Sequence, residues 1–213
     1  PLNIVTGNPN LKPTNNHRAS INYNKFNFQT GTGFFLNANV NKSENKIVTK
    51  SVIDPINLVR NTTYENVNGD YRYYIGANYS KKIKLDSINT LTIRLGNNYS
   101  ETKNVYFFNG VKSSSNTKSI SPSLGFTLDF KNIIKIFPRY NDMITKTTFD
   151  ANSVGNQNYV SHFLNISTKT LGSKKLEWQN NIRYNFNPNV ADGFNKSAWF
   201  WNSSLAYSVL KDK

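Results

Sequence analysis

Apolar and polar residues alternate along much of this chain, and this alternation limits what it can fold into more than any other feature. Residues 120–130 place Ile, Pro, Leu, Phe, Leu and Phe at one set of positions and Ser, Ser, Gly, Thr and Asp at the other. Residues 91–95 and 176–186 follow the same period. A period of two is typical of a β-strand with one apolar and one polar face. The chain is therefore predicted to be all-β.

The composition agrees with strands and excludes several kinds of site. Among 213 residues there are 36 Asn and only 7 Ala, and Ala is the best helix former whereas Asn is a poor one. The absence of Cys excludes disulfide scaffolds, thiolate metal sites, Fe–S clusters and Cys nucleophiles. The length suits a single domain.

The net charge and the mean hydropathy limit which partners and which kinds of membrane segment can be expected. The chain carries 26 Lys and Arg against 12 Asp and Glu, a formal charge of +14. These cations are scattered, so no nucleic acid is expected as a partner. No segment approaches the roughly 18 consecutive apolar residues of a transmembrane helix. A negative mean hydropathy does not exclude a membrane β-barrel, because only alternate residues of its strands face lipid.

Roughly nine strands are predicted from the alternation. They lie near residues 19–23, 36–40, 73–79, 91–107, 120–130, 134–140, 164–166, 176–186 and 199–209. The second is expected to continue through Ile47 and Val52. Pro122 and Pro138 should disturb the pairing of their strands, because proline has no N–H to donate.

The links between these strands alternate in length. Short links are expected near residues 25–31, 84–89, 131–132 and 172–175, and longer polar links near 54–63, 110–118, 151–157 and 187–197. Short turns at one rim and long loops at the other are typical of an outer-membrane barrel. Aromatic residues cluster near both sets of links, which fits two interfacial girdles, although aromatic residues are also simply good strand formers.

One segment carries a family resemblance. GNPNLKP at residues 7–13 resembles the G-N-P-x-L-K-P segment of TonB-dependent outer-membrane receptor barrels. Residues 63–69, 119–125 and 192–195 resemble recurring features of the Bacteroidetes, SusC-like branch. The similarity extends over essentially the whole chain.

The resemblance implies an antiparallel up-and-down transmembrane β-barrel of about 22 strands that follows a plug domain, in the bacterial outer membrane. Residues 1–213 would then form part of one barrel domain, a late-barrel segment without the plug or the last strands. Implied partners are outer-membrane lipid, the plug and remaining strands of the same protein, and also TonB and a surface lipoprotein. An open sheet of nine strands would leave two unpaired edges in lipid, which also favours a segment of a larger barrel.

Catalytic and cofactor chemistry is not expected. His17 and His162 are the only histidines, so a three-histidine metal site is excluded. The chain has no P-loop, G-x-S-x-G or H-E-x-x-H motif, and residues 31–36 lack the third Gly of a dinucleotide-binding loop. A pair of acidic residues for glycoside hydrolysis stays open, because alternation alone does not bring two carboxylates together. We expect no enzyme, cofactor or metal.

Two groups of residues are candidates for binding. Charged residues on the polar sides of the strands should face the barrel lumen, where they either guide a substrate and pair with the plug or form an ion-pair network in the wall. They are Arg94, Asp129, Arg139, Glu177 and Arg183. Aromatic residues expected in loops could stack on sugar rings or contact a partner lipoprotein. They are Tyr64, Tyr106, Phe107, Phe108, Trp199, Phe200 and Trp201.

Three functions compete at this point. The favoured one is a barrel segment of a TonB-dependent receptor that imports a nutrient. The second is a structural or scaffold barrel subunit of a larger outer-membrane assembly, which the lack of a plug and of a TonB-binding segment in the full gene would favour. The third is a secreted, soluble β-sandwich that binds carbohydrate, which detergent-free solubility would favour.

Overall fold

The computed structural model describes residues 2–131, 133–150, 155–171 and 176–209, in which twelve strands lie. The strands are β1 (Asn3–Val5), β2 (Asn15–Asn27), β3 (Thr32–Glu44), β4 (Lys46–Ile53), β5 (Arg60–Val67), β6 (Asp70–Lys84), β7 (Asn89–Phe108), β8 (Val111–Phe130), β9 (Ile134–Phe149), β10 (Gln157–Leu171), β11 (Leu176–Phe186) and β12 (Ser197–Tyr207). Within those residues no helix has the length and apolar character needed to cross a membrane.

Nine strands form one antiparallel sheet, the main sheet, in the order β2-β3-β6-β7-β8-β9-β10-β11-β12. Each strand pairs with the next along the chain, except that β4 and β5 are inserted between β3 and β6. The predicted meander of nine strands is confirmed, and the predicted continuation through Ile47 and Val52 is β4. The last strand ends at Tyr207, two residues earlier than predicted. The main sheet is open, with β2 and β12 as its edges.

Proline interrupts the pairing of β8 with β9, as the sequence predicts. The ladder stops before Pro122, resumes at Ser123, and breaks again opposite Pro138. Both prolines still lie in register on their other side, Pro122 with Asn97 and Pro138 with Ile166. The two strands therefore remain neighbours, because the pairing is lost only around each proline, which has no N–H to donate, and resumes on both sides.

Brief connections lie at one rim of the main sheet, the short-turn rim. Residues 28–31 join β2 to β3 and residues 85–88 join β6 to β7, while β9 begins at Ile134 soon after β8 ends at Phe130. These three agree with the predicted short links. The fourth, residues 172–175, lies outside the described residues.

The opposite rim, the long-loop rim, differs from prediction in two places. Residues 111–118 belong to β8 instead of a loop, after a two-residue turn in which Asn109 and Gly110 have φ of 47° and 77°. Asn-Gly favours such a turn because both of its positions need positive φ. Likewise β5 begins at Arg60, inside a predicted loop. Residues 60–63 and 112–118 are polar on both faces, a pattern that also suits a strand extending into water.

Of the other two predicted long links, one agrees with the structure and the other is only partly described. Residues 187–196 connect β11 to β12 without strand structure. The predicted link at 151–157 lies partly outside the described residues, and β10 begins at Gln157.

The strands β4 and β5 extend the β3–β6 hairpin without a change of register, since Ser43 faces Asp70 and Lys46 faces Val67. The hairpin bends between these pairs, where Asn45 and Gly69 have φ of 53° and 110°. Gly and Asn tolerate this left-handed conformation best. Strand β1 then adds to β5 in parallel and completes a three-stranded sheet, the small sheet.

A small apolar core lies where the small sheet meets β7. Val67 and Val105 are the only buried hydrophobic residues in the described chain. The buried carboxylate of Asp70 accepts a hydrogen bond of 2.6 Å from the backbone N–H of Val105 and pairs with Lys46. The main sheet itself has no comparable core among the described residues.

Candidate functional site

The register of the main sheet sorts its side chains onto two faces. Apolar residues from eight successive strands stand opposite one another in a single row: Phe34, Tyr79, Leu95, Leu124, Tyr140, Leu164, Tyr184 and Trp199. Many of these side chains have no protein cover in the described chain, and Trp199 is 65% exposed. A continuous row of uncovered apolar side chains across a sheet needs a nonpolar surrounding.

The sequence neighbours of that row form a second row on the opposite face. It consists of Gly33, Ser80, Arg94, Gly125, Arg139, Asn165, Arg183 and Phe200. Three of the predicted lumen residues therefore lie in one line, one on every second strand. We call Arg94, Arg139 and Arg183 the arginine row. The sequence predicted their face but not their alignment, because alignment depends on the pairing register.

The other two predicted lumen residues also lie on the polar face, but in ion pairs. Asp129 is 2.9 Å from the Nζ of Lys135, and Glu177 is 2.6 Å from the Nζ of Lys169. Sequence reasoning missed both lysines, since each pair joins neighbouring strands and only the register brings its members together. Each acid pairs with a lysine outside the five candidates, so ion pairs of the wall involve residues that the sequence did not single out.

The arginine row has neutral partners only, as far as the described residues go. Arg94 donates to the hydroxyl of Thr127, and the Nε of Arg139 donates to the side-chain oxygen of Asn141 over 2.9 Å. None of the three arginines forms an ion pair with a described residue. All three side chains are exposed on the polar face.

Two cavities lie along the arginine row and share its middle member. One of about 560 Å³ is lined by Arg94 and Arg139, and one of about 410 Å³ by Arg139 and Arg183. Each also has a phenylalanine from the polar side of its strand, Phe137 in the first and Phe163 in the second. These aromatic residues were missed, although Phe at a polar position of an alternating strand is a signal that the sequence contains.

A family comparison fits this two-faced sheet. The model of the outer membrane protein beta-barrel family matches residues 1–213. The chain belongs to the outer membrane protein beta-barrel family. It is therefore a protein of the bacterial outer membrane. No curated protein and no solved structure matches the chain.

Membership in this barrel family suggests a role for each face. In outer-membrane barrels alternate strand residues turn outward to lipid and the others turn to the lumen, so the apolar row is suited to lipid and the polar face with its arginine row is suited to the lumen. The aromatic residues predicted near the short turns do lie at that rim: Phe26 and Phe28 at the first turn, Phe130 at the end of β8, and Trp178 and Tyr207 at the start of β11 and the end of β12.

The polar end of the lipid-facing surface is marked by a cluster around Glu101. Its carboxylate accepts hydrogen bonds of 2.9 Å each from Asn116, Tyr71 and Tyr99. Hydrogen bonding, first from the Asn116 amide and then from the two hydroxyls, lowers the pKa of Glu101. These three donors favour the ionised form of the Glu101 carboxylate.

The aromatic residues predicted for loops all lie in strands. Trp199, Phe200 and Trp201 belong to β12, where Trp199 and Trp201 share the lipid face and Phe200 the polar face. Tyr64 lies in β5, and Tyr106, Phe107 and Phe108 end β7. The loop assignment was wrong because β5 and the end of β7 form strands where loops were expected, and because β12 already begins at Ser197. The tip of β7 still reaches the long-loop rim, where the Nζ of Lys50 lies 5.2 Å from the ring centre of Phe107.

The histidines are far apart in the barrel wall. The Nδ1 of His162 is 2.6 Å from Asp142 and 2.8 Å from the Tyr140 hydroxyl, on the lipid side, whereas His17 is 3.7 Å from Glu44. No group of three metal-binding side chains occurs in the described part of the chain.

Proposed function

We propose that the chain is part of the wall of a TonB-dependent, SusC-like receptor barrel that imports a nutrient across the outer membrane. The observation that supports this most is the open main sheet: nine strands pair in sequence, yet β2 and β12 do not pair with each other. A barrel of about eight strands closes on an interior that its own side chains fill. A wall that is still open after nine strands belongs to a wider barrel.

The width of the barrel supports a role in transport. Unpaired backbone groups cost several kcal/mol each in lipid, so further strands must pair with β2 and β12. Barrels of about 16–18 strands hold an open channel, and those of about 22 are transporters with a plugged lumen. The polar, cavity-bearing inner face and the tall hairpins at one rim suit a lumen that passes a solute. The proposal assigns no catalytic step to the chain, and its proposed partners are a plug, TonB and a surface lipoprotein.

Uptake by the native bacterium tests the proposal. The full-length gene would be deleted and complemented, and growth measured on starch, inulin or polygalacturonate as sole carbon source. We expect growth on at least one of them to need the gene, and energy-dependent uptake of that nutrient to stop when an uncoupler removes the proton gradient.

Two results would contradict importation. Growth and uptake that do not change in the deletion strain would do so, and so would uptake that persists in full with the uncoupler. Unchanged uptake together with stoichiometric copurification of other envelope proteins would instead favour the scaffold subunit.

A further inference from the structure

We propose that the arginine row binds a solute with at least two acidic groups, so that the imported nutrient is a polyanion. This rests on the proposed function for the direction of transport, but the binding itself is a property of the polar face. Three features of that face support it: uncompensated charge, spacing and free volume.

The uncompensated charge comes first. A guanidinium has five N–H donors and stays charged at all physiological pH values. Hydrogen bonds within the described chain use one donor of Arg94 and one of Arg139, both to neutral oxygens. The nearby polar-face acids Asp129 and Glu177 are already paired with lysines. Most donors of the row are thus left for an external acceptor, and a carboxylate, phosphate or sulfate is the acceptor that arginine binds best.

The spacing sets the form of the ligand. Neighbouring strands lie about 4.8 Å apart, so arginines on alternate strands have Cα atoms about 10 Å apart along the row. Two neighbouring arginines can converge on one anion, but the outer two, whose Cα atoms lie about 19 Å apart, need a ligand with a second acidic group. A solute that carries its acidic groups at intervals along its length can contact several.

The free volume lies between the arginines. Gly125 separates Arg94 from Arg139 in the row, and Asn165 separates Arg139 from Arg183. A Cβ added at Gly125 would lie no closer than 3.6 Å to Arg139, which is an ordinary van der Waals contact. Close backbone packing therefore does not require glycine here, and the missing side chain leaves free space between the two arginines. The two cavities occupy these intervals and share Arg139. Their phenylalanine rings and side-chain amides suit the uncharged part of such a solute.

Binding to the full-length protein in an uncharged detergent tests this proposal. The probes are trigalacturonate, tripolyphosphate and neutral maltotriose, measured by calorimetry at low ionic strength. We expect Arg139→Gln to weaken binding of at least one anion about tenfold or more, because it removes the residue shared by both cavities. Arg94→Gln and Arg183→Gln should each weaken it less, and Arg139→Lys should retain part of the affinity. The two anions separate an acidic sugar from a phosphate source.

Arg60→Gln is the matched control, since it removes the same charge from β5 in the small sheet. Gly125→Glu is a second test: it places a carboxylate between Arg94 and Arg139 and should reduce anion binding as strongly as Arg139→Gln does.

Three results would overturn the inference. One is an equal loss in Arg139→Gln and Arg60→Gln, which would indicate a general effect of basic charge. Another is maltotriose binding as tightly as both anions. The third is a lower unfolding temperature in Arg139→Gln with unchanged anion binding, which would mean that the arginines pair with another part of the protein. These measurements need no energy source, so their failure is distinct from a failure of TonB-dependent uptake.

Discussion

The main sheet and the small sheet are built from the same kinds of residue but are stabilised in different ways. In the main sheet Leu95 and Leu205 are 50% and 69% exposed, with no protein packed over them in the described chain. At the small sheet Val67 is 2% exposed and nearby Val105 is 5% exposed. One sheet therefore obtains its apolar surrounding from lipid, and the other obtains it from β7.

Lipid and a protein core place different requirements on the amino-acid sequence. A strand in lipid needs only an apolar residue at every second position, because lipid fits any apolar shape. A protein core needs complementary packing and a partner for each buried polar group, such as the backbone N–H that bonds to Asp70. Substitutions in the two sheets should therefore destabilise the protein for different reasons, and four predictions test this difference.

The largest effect is expected for a charge on the lipid face. Leu124 lies near the middle of the spanning part of β8, between Leu95 and Tyr140 in the apolar row. Leu124→Arg should lower the free energy of unfolding by about 2–4 kcal/mol, the range for arginine at the bilayer midplane. Urea unfolding of the full-length protein in liposomes measures it.

The control for that substitution is the adjacent residue. Ser123→Arg places the same side chain on the polar face, where water is present, and should change unfolding by less than about 1 kcal/mol. Equal losses for Leu124→Arg and Ser123→Arg would contradict the assignment of the faces.

The next effect should stay within the small sheet. Asp70→Ala leaves the Val105 N–H without its acceptor and Lys46 without its partner, and should destabilise the region by about 2 kcal/mol. We expect faster hydrogen exchange and proteolysis in residues 46–67 while the main sheet remains folded. Asp70→Asn, which keeps an acceptor, should have a smaller effect. Loss of the whole barrel in Asp70→Ala would mean that the two sheets do not fold independently.

A smaller effect is expected at the contact between the small sheet and the tip of β7. Lys50→Ala removes the approach to the Phe107 ring and the 2.6 Å ion pair with Glu65, and should cost about 0.5–1 kcal/mol, because both groups are partly exposed. Hydrogen exchange of β4 measures it. Glu65→Ala removes the ion pair alone and should cost less. If Glu65→Ala matches Lys50→Ala, the Phe107 contact contributes nothing.

The same difference explains how much the sequence predicted. The strands and faces of the main sheet followed from alternation, since lipid imposes that pattern residue by residue. Of the small sheet only β4 was predicted, as a continuation of the second strand; β1, β5 and their packing were missed because they depend on distant contacts, such as β1 beside β5 and Asp70 beside Val105. For the candidate site, alternation predicted the face of Arg94, Arg139 and Arg183. Their alignment needs the register of β7 to β11, which no local pattern contains.

The smallest effect concerns the short-turn rim, where stability is local. In the turn between β6 and β7 the carboxylate of Asp86 accepts hydrogen bonds of 2.8 Å from the N–H groups of Ile88 and Asn89. These bonds, that of Ile88 first, lower the pKa of Asp86. A lowered pKa in the folded state means that ionised Asp86 stabilises the turn above the ordinary carboxyl pKa of about 3.9, and that this contribution is lost as the pH falls through the folded-state pKa. Amide NMR shifts of Ile88 and Asn89 should therefore titrate with a midpoint below the ordinary carboxyl value of about 3.9. Asp86→Asn keeps a hydrogen-bond acceptor but cannot titrate, so the same amide shifts should not change with pH in this variant. A titration midpoint above about 4 in the unaltered protein would show that the turn does not stabilise the ionised carboxylate.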